Sequence, residues 1–268
     1  MTDAGQRPAG RIETARAGAE FHIRIANPER YNAMSLSMWE ALARAAAEAD
    51  ADADTRVVVL SGSGSRAFVS GADISEFATQ RGDPEQRARY GAAVAAAQRA
   101  LAASRHPTVA VIRGVCMGGG MALAIACDLR YCTEDARFRM PAGRLGLGYA
   151  LEGMQRFASV LGTARAADLF LTARSFDGRE AARIGLVQEA FGQDSFEAVT
   201  RKRIEAIAAL APLTLRAARL ALCRIAGAPE APDEVAVQAA IRACYESRDY
   251  VEGQQAFLEK REPRFRGT

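Results

Sequence analysis

The chain has 268 residues, 49% hydrophobic and 7% aromatic, and 35 Lys+Arg against 32 Asp+Glu give a formal charge of +3. That composition excludes disordered, collagen-like and coiled-coil chains, and the length suits one large domain or one domain with a helical appendage. The charge is too small to argue for nucleic acid, and five cysteines without a C-x-x-C pair, beside two histidines, argue against a structural zinc site.

In chain order, the first 18 residues are polar and lack the apolar stretch of a signal peptide. Free thiols suit a reducing compartment, so a cytoplasmic location is expected. Residues 20–25 alternate polar and apolar, a strand pattern, and the strand looks edge-like, with a structural His22. Asn27-Pro-Glu-Arg-Tyr-Asn is turn chemistry. Residues 35–50 read as a helix capped by Ser35 or Ser37, with Met38, Leu42 and Ala45 on one face. Residues 57–60 are a buried strand, followed by a Gly/Ser loop at 61–65. Gly71-Ala-Asp-Ile opens another helix, and residues 83–103 form a long alanine-rich one. Residues 108–112 are the next buried strand, then Gly114-Val-Cys-Met-Gly-Gly-Gly leads into an apolar helix ending at Ala126, and residues 129–132 are a further strand. The longest uncharged stretch, residues 114–127, is too short to span a bilayer. Alternating strands and helices argue βαβ crossovers and a largely parallel sheet. Beyond about residue 150, helical segments dominate: 154–161, 165–171, 178–184, 196–210, 214–225, 234–247 and 249–261. The expected division is an α/β core over 1–195 and a C-terminal helical region over 196–268.

Two loop-to-helix joins follow buried strands and carry glycine: Ala67-Phe-Val-Ser-Gly-Ala-Asp-Ile and Gly114-Val-Cys-Met-Gly-Gly-Gly-Met. Helix N-termini present free N–H groups, and glycine lets a ligand approach the backbone. If the two ends face each other, Ala72 N–H and Gly119 N–H can hold one developing oxyanion, each donor contributing about 3–4 kcal/mol in the transition state. The same glycines also suit tight helix–strand packing or a phosphate cradle. Gly62-Ser-Gly-Ser-Arg-Ala67 matches a dinucleotide fingerprint, but no helix follows directly.

Together these motifs resemble the crotonase superfamily, the enoyl-CoA hydratase/isomerase family. Asn27-Pro-Glu-Arg-Tyr-Asn-Ala-Met is similar to its first signature, and the two glycine loops to its oxyanion loops. Residues 164–185 resemble its trimerisation-side helices, and Glu252-Gly-Gln-Gln-Ala-Phe-Leu-Glu-Lys-Arg-Glu-Pro-Arg-Phe its C-terminal signature. The resemblance implies an α/β crotonase-like (ClpP/crotonase) spiral of ββα units in two roughly perpendicular sheet layers with a helical C-terminal region. It implies a homotrimer or dimer of trimers acting on a small-molecule acyl-CoA, with the coenzyme A thioester as substrate. No further cofactor, metal, nucleic acid or membrane is expected.

By the same resemblance, Ala72 and Gly119 hold the thioester oxygen. Arg30, the Ala33 backbone, Ser70, Gly71, Asp73, Ile74, Gly118 and Ala142 line the substrate, and Phe257 and Lys260 contact the CoA nucleotide. The hydratases of the family use two glutamates, and the matching positions here hold Ala122 and Ala142. Alanine moves no proton, so simple hydration is in question. Tyr149 resembles a tyrosine of the family's methylmalonyl-CoA decarboxylases, and decarboxylation needs no base. Glu152 is either a displaced carboxylate or a helix-dipole partner, while Arg139 and Arg144 are either partners of an acidic acyl group or surface charges. Asp73 and Asp128 read as a cap and a packing hydrogen bond, and His106 as structural. The reading is a family enzyme working through a thioester enolate; the alternatives are a malonyl-type decarboxylase using Tyr149, or a non-catalytic acyl-CoA-binding homologue.

Overall fold

The computed structural model describes residues 9–76 and 83–268. It begins with a hairpin, β1 (Arg11–Ala17) and β2 (Glu20–Ala26), joined through Gly18. Helix α1 (Leu36–Ala51) starts at Ser35, whose hydroxyl accepts the Met38 N–H. β3 (Val57–Gly62) is followed by the short β4 (Ala67–Val69). Helix α2 (Pro84–Ala102) is capped by Asp83, whose carboxylate accepts the Gln86 N–H. Then come β5 (Thr108–Ile112), β6 (Val115–Met117), α3 (Gly119–Ala126), β7 (Leu129–Thr133) and β8 (Arg137–Arg139). Helices α4 (Leu151–Leu161) and α5 (Thr163–Thr172) precede β9 (Ser175–Asp177), α6 (Gly178–Arg183) and β10 (Glu189–Phe191). Four more helices complete the chain: α7 (Gln193–Ala208), α8 (Pro212–Ile225), α9 (Glu234–Tyr245) and α10 (Arg248–Glu259).

The strands form two sheets. One has the order β1-β2-β3-β5-β7-β10, the other β4-β6-β8-β9. From β2 to β10 the first sheet is parallel, and β4, β6 and β8 are parallel in the second. The chain therefore visits the large sheet, then the small sheet, then returns through helix, turn after turn, which is the expected spiral of ββα units.

Alternation along β3 explains why the large sheet is buried on both faces. Val58 and Leu60 face the main core with Trp39, Phe68 and Met121. Val57 and Val59 face the other way, where Phe196 and Ile204 of α7 cover them. Both faces are thus closed by helices, and the strand is apolar throughout rather than alternating.

One expectation changes. His22 does not lie on an edge, because β1 pairs along the whole of β2 and leaves His22 in an interior strand beside Glu20, at 2.8 Å. The polar start hides strand β1, since an exposed edge strand has no buried face to show. Gly71-Ala-Asp-Ile leads into a 3-10 turn at Ile74–Glu76, and the helix expected to continue from it falls on residues 77–82, outside the described residues. As expected, no helix follows the Gly62–Ala67 fingerprint directly: it ends in β4, without the dinucleotide context.

Candidate functional site

The two glycine loops leave adjacent strands of the small sheet. Val69 of β4 pairs with Cys116 of β6, and Ala72 and Gly119 each lie three residues further on (69 + 3, 116 + 3). Gly71 has φ +121°, a conformation that side chains rarely adopt. A β-carbon built there would lie 4.0 Å from the Gly119 nitrogen, and one built on Gly119 would lie 3.9 Å from the Gly71 Cα. The loops therefore meet backbone to backbone.

Among the described residues, each amide is free for its own reason. Gly119 opens α3, so its N–H has no partner within the helix. Ala72 forms an isolated parallel bridge with Met34: Met34 N–H donates to Gly71 O at 2.8 Å and Asp73 N–H donates to Met34 O at 2.9 Å. Groups alternate along an extended chain, so the Ala72 N–H points away from Met34. The first donor is thus presented by a strand-like bridge.

The expected lining residues gather here, several of them already engaged. Arg30 donates to the Asp73 carboxylate at 2.6 Å and to the Ser75 hydroxyl. Burial alone would raise the Asp73 carboxyl, but hydrogen bonds from Ser75 and Arg30 outweigh it and hold the carboxyl below its usual range. Asp73 also accepts the Ser75 N–H at 3.0 Å, the expected cap. Ser70 donates from its hydroxyl to Arg30 O at 3.3 Å. The Ala33 backbone is occupied within its own turn, its N–H donating to Arg30 O and its carbonyl accepting from the Asn27 side chain. Gly118 donates to Arg139 O at 3.0 Å and faces Pro141, so the turn carrying Ala142 stands next to the second loop. Ala122 and Ala142 are both buried in the main core.

Tyr149 packs edge-on against Phe157 and Phe170, with ring centroids 6.1 and 4.9 Å away. Burial pushes its phenol up, with Arg156 pulling it partly back. Glu152 stands in the first turn of α4, half-exposed, 3.6 Å from Arg99 of α2. Arg139 donates its Nε–H to Ala173 O at 2.8 Å and Arg144 is exposed. Asp128 is a packing group, accepting from Thr108 and from Arg219 at 2.6 Å. His106 is part-buried, and desolvation lowers its pKa. Phe257 and Lys260 lie on and just after α10 and are exposed; Phe257 lines an apolar groove of about 730 Å³ with Leu213, Ile241 and Tyr245.

Two residues escaped sequence reasoning. Trp39 presses on Gly119, and its indole N–H donates to the Tyr90 hydroxyl at 2.9 Å. The only sequence signal was that the chain's one tryptophan sits just after the first signature.

Comparison with known proteins agrees with this arrangement. The family profile for enoyl-CoA hydratase/isomerase matches residues 17–268. A peroxisomal Delta(3,5)-Delta(2,4)-dienoyl-CoA isomerase of Arabidopsis thaliana is 35% identical over 91% of this chain and 92% of its own. A probable enoyl-CoA hydratase of Mycobacterium tuberculosis is 32% identical over 91% and 93%. Among solved structures, an enoyl-CoA hydratase/carnithine racemase of Magnetospirillum magneticum superposes with a TM-score of 0.89 at 34% identity, covering 96% of both chains. With matching motifs, matching fold and a match across almost its whole length, the chain belongs to the enoyl-CoA hydratase/isomerase family, within the crotonase superfamily.

Proposed function

We propose that this protein binds an acyl-CoA thioester with its carbonyl oxygen between the Ala72 and Gly119 N–H groups, and that it works through the enolate formed there. The observation that carries this reading is the close backbone approach of Gly71 and Gly119, which brings together the two loops that carry the Ala72 and Gly119 amides. Two preset donors stabilise charge that develops on oxygen, each by about 3–4 kcal/mol in the transition state. Relatives named as enoyl-CoA hydratases and a dienoyl-CoA isomerase support the substrate class.

The proton chemistry is less conventional. Ala122 and Ala142 stand where a pair of acids would be expected, and neither moves a proton. A second reading, decarboxylation of a malonyl-type thioester, fits this feature. The carboxylate leaves as carbon dioxide, its bonding pair becomes the enolate, and a proton then adds at the α-carbon. Tyr149 favours this reading, because its hydroxyl has no hydrogen-bond partner among the described residues while its ring is fixed by two phenylalanines. Exposed apolar residues of the C-terminal helices, Ile225, Phe257 and Leu258 among them, support assembly as a trimer or a dimer of trimers.

The test is to incubate the protein with crotonyl-CoA and with methylmalonyl-CoA, following thioester absorbance and carbon dioxide. Turnover of either is expected. Gly119→Pro deletes one N–H at the first helical position, where proline is tolerated, and should lower the rate about 100- to 1000-fold. A near-full rate in that variant sinks the paired-amide mechanism. Tight CoA binding without turnover of either compound points to the binding homologue instead.

A further inference from the structure

Trp39 is the only tryptophan and is 1% exposed. Its six-membered ring lies against Gly119: a β-carbon built there would be 3.1 Å from Cζ2 and 3.2 Å from Cη2. Its indole N–H donates to the Tyr90 hydroxyl at 2.9 Å, and that hydroxyl donates to the Met34 carbonyl at 3.1 Å. The same carbonyl accepts the Asp73 N–H, one residue from Ala72. One indole therefore backs one amide with its ring. Through one hydroxyl and one carbonyl, it also reaches the segment that carries the other.

Simple core filling does not call for this arrangement. Two polar tips are buried in an apolar interior, hydrogen-bonded to each other and to the Met34 backbone carbonyl. A catalytic donor must be held to within about 0.5 Å, and the neighbours of both donors run into this one chain of contacts.

We propose that Trp39 and Tyr90 are positioning residues of the paired-amide site, fixing the separation of the Ala72 and Gly119 N–H groups through the Trp39 ring and the Trp39–Tyr90–Met34 hydrogen bonds. This rests on the reading of those amides as donors to one thioester oxygen.

A dimethylaminocinnamoyl thioester of CoA serves as probe, because its absorption moves to the red when its carbonyl is polarised. Binding without a red shift, or no binding, in the unmutated protein overturns the paired-amide reading itself, and the positioning role with it. Given that shift, Tyr90→Phe should cut it to roughly half or less, since donor geometry is what polarises the carbonyl. The Kd should change less than about threefold, because most of the affinity comes from the non-reacting CoA portion. Trp39→Phe, which removes both the N–H and the distal ring atoms against Gly119, should lose at least as much, and the double variant no more than Trp39→Phe alone. A full shift in Tyr90→Phe overturns the proposal, as do two losses that add. If Tyr90→Phe does not fold, Trp39→Phe decides by the same criterion. In the unmutated protein, Trp39 emission should change as crotonyl-CoA binds; emission unaltered at saturation overturns the proposal whatever the variants do.

Discussion

Gly120 shows how tightly single residues set this site. A β-carbon there would overlap the Val69 carbonyl oxygen and stand 2.9 Å from the Val69 Cβ. The obstacle is largely backbone of the neighbouring strand, which cannot swing aside as a flexible side chain could. Gly120→Ala should therefore destabilise the fold by about 1–3 kcal/mol, the usual cost of overpacking. Thermal unfolding measures it, and an unchanged midpoint would mean that α3 and β4 separate more easily than their packing implies. Glu152 lies at the other extreme. It forms a half-exposed ion pair with Arg99, so Glu152→Gln should change stability by less than about 1 kcal/mol. Any larger change in turnover then reports on chemistry rather than folding.

Among the elements, α10 and the tail behind it are bound by carboxylates. Glu252 accepts from both ends of the Arg261 guanidinium and from the Arg264 N–H at 2.7 Å. Asp249 accepts the Arg266 and Gly267 N–H groups. The Arg261 hydrogen bonds, with help from the Arg264 backbone, hold the Glu252 carboxyl at about 2, below its ordinary 4.5. A depressed acid stabilises the fold above its unfolded pKa and loses that contribution as pH falls through the folded one. The tail should thus loosen between about pH 4.5 and pH 2. Amide exchange at Arg264 reads this directly, and Glu252→Gln should abolish the pH step; a step that persists assigns it to another group.

The same scale shows what the sequence could reveal. Helix α1 was legible from its capping serine and its apolar face, and α2 from its run of alanines; the Asp83 cap emerges only in the structure. β4, β6, β8, β9 and β10 were not, because three residues cannot display a period. The two glycine loops were legible as a pair, and the structure sets Arg30, Ser70 and Asp73 beside Ala72. How Ala72 is presented was not, because its bridge to Met34 is a tertiary contact that local sequence does not encode. The link from Trp39 to Tyr90 spans 51 residues and leaves no local trace.

At the scale of the whole molecule, the C-terminal layer exposes several large apolar side chains. Ile225 is 81% exposed, Phe257 82% and Leu258 81%, and Phe257 borders the apolar groove between α8, α9 and α10. Exposed apolar side chains of this kind suit an interface, and the proposed trimer or dimer of trimers would cover them. Light scattering should therefore return a mass of three or six chains. A monomer at micromolar concentration would leave that surface unexplained and count against the assembly. The rest of the layer is tied to the body by buried ions: Arg219 of α8 reaches Asp128 and the carbonyls of Ala102 and Ser104, and Arg156 of α4 grips Glu230.

The equal offset of Ala72 and Gly119 from the paired Val69 and Cys116 has a consequence for how this scaffold tolerates change. Inserting one residue after β4 would carry the first donor about 3.3 Å along the chain, more than a hydrogen bond can stretch, and would turn its N–H toward the opposite side. Length is therefore rationed in those short spans, whereas the long excursions that leave and rejoin the sheets are at liberty to grow or shrink.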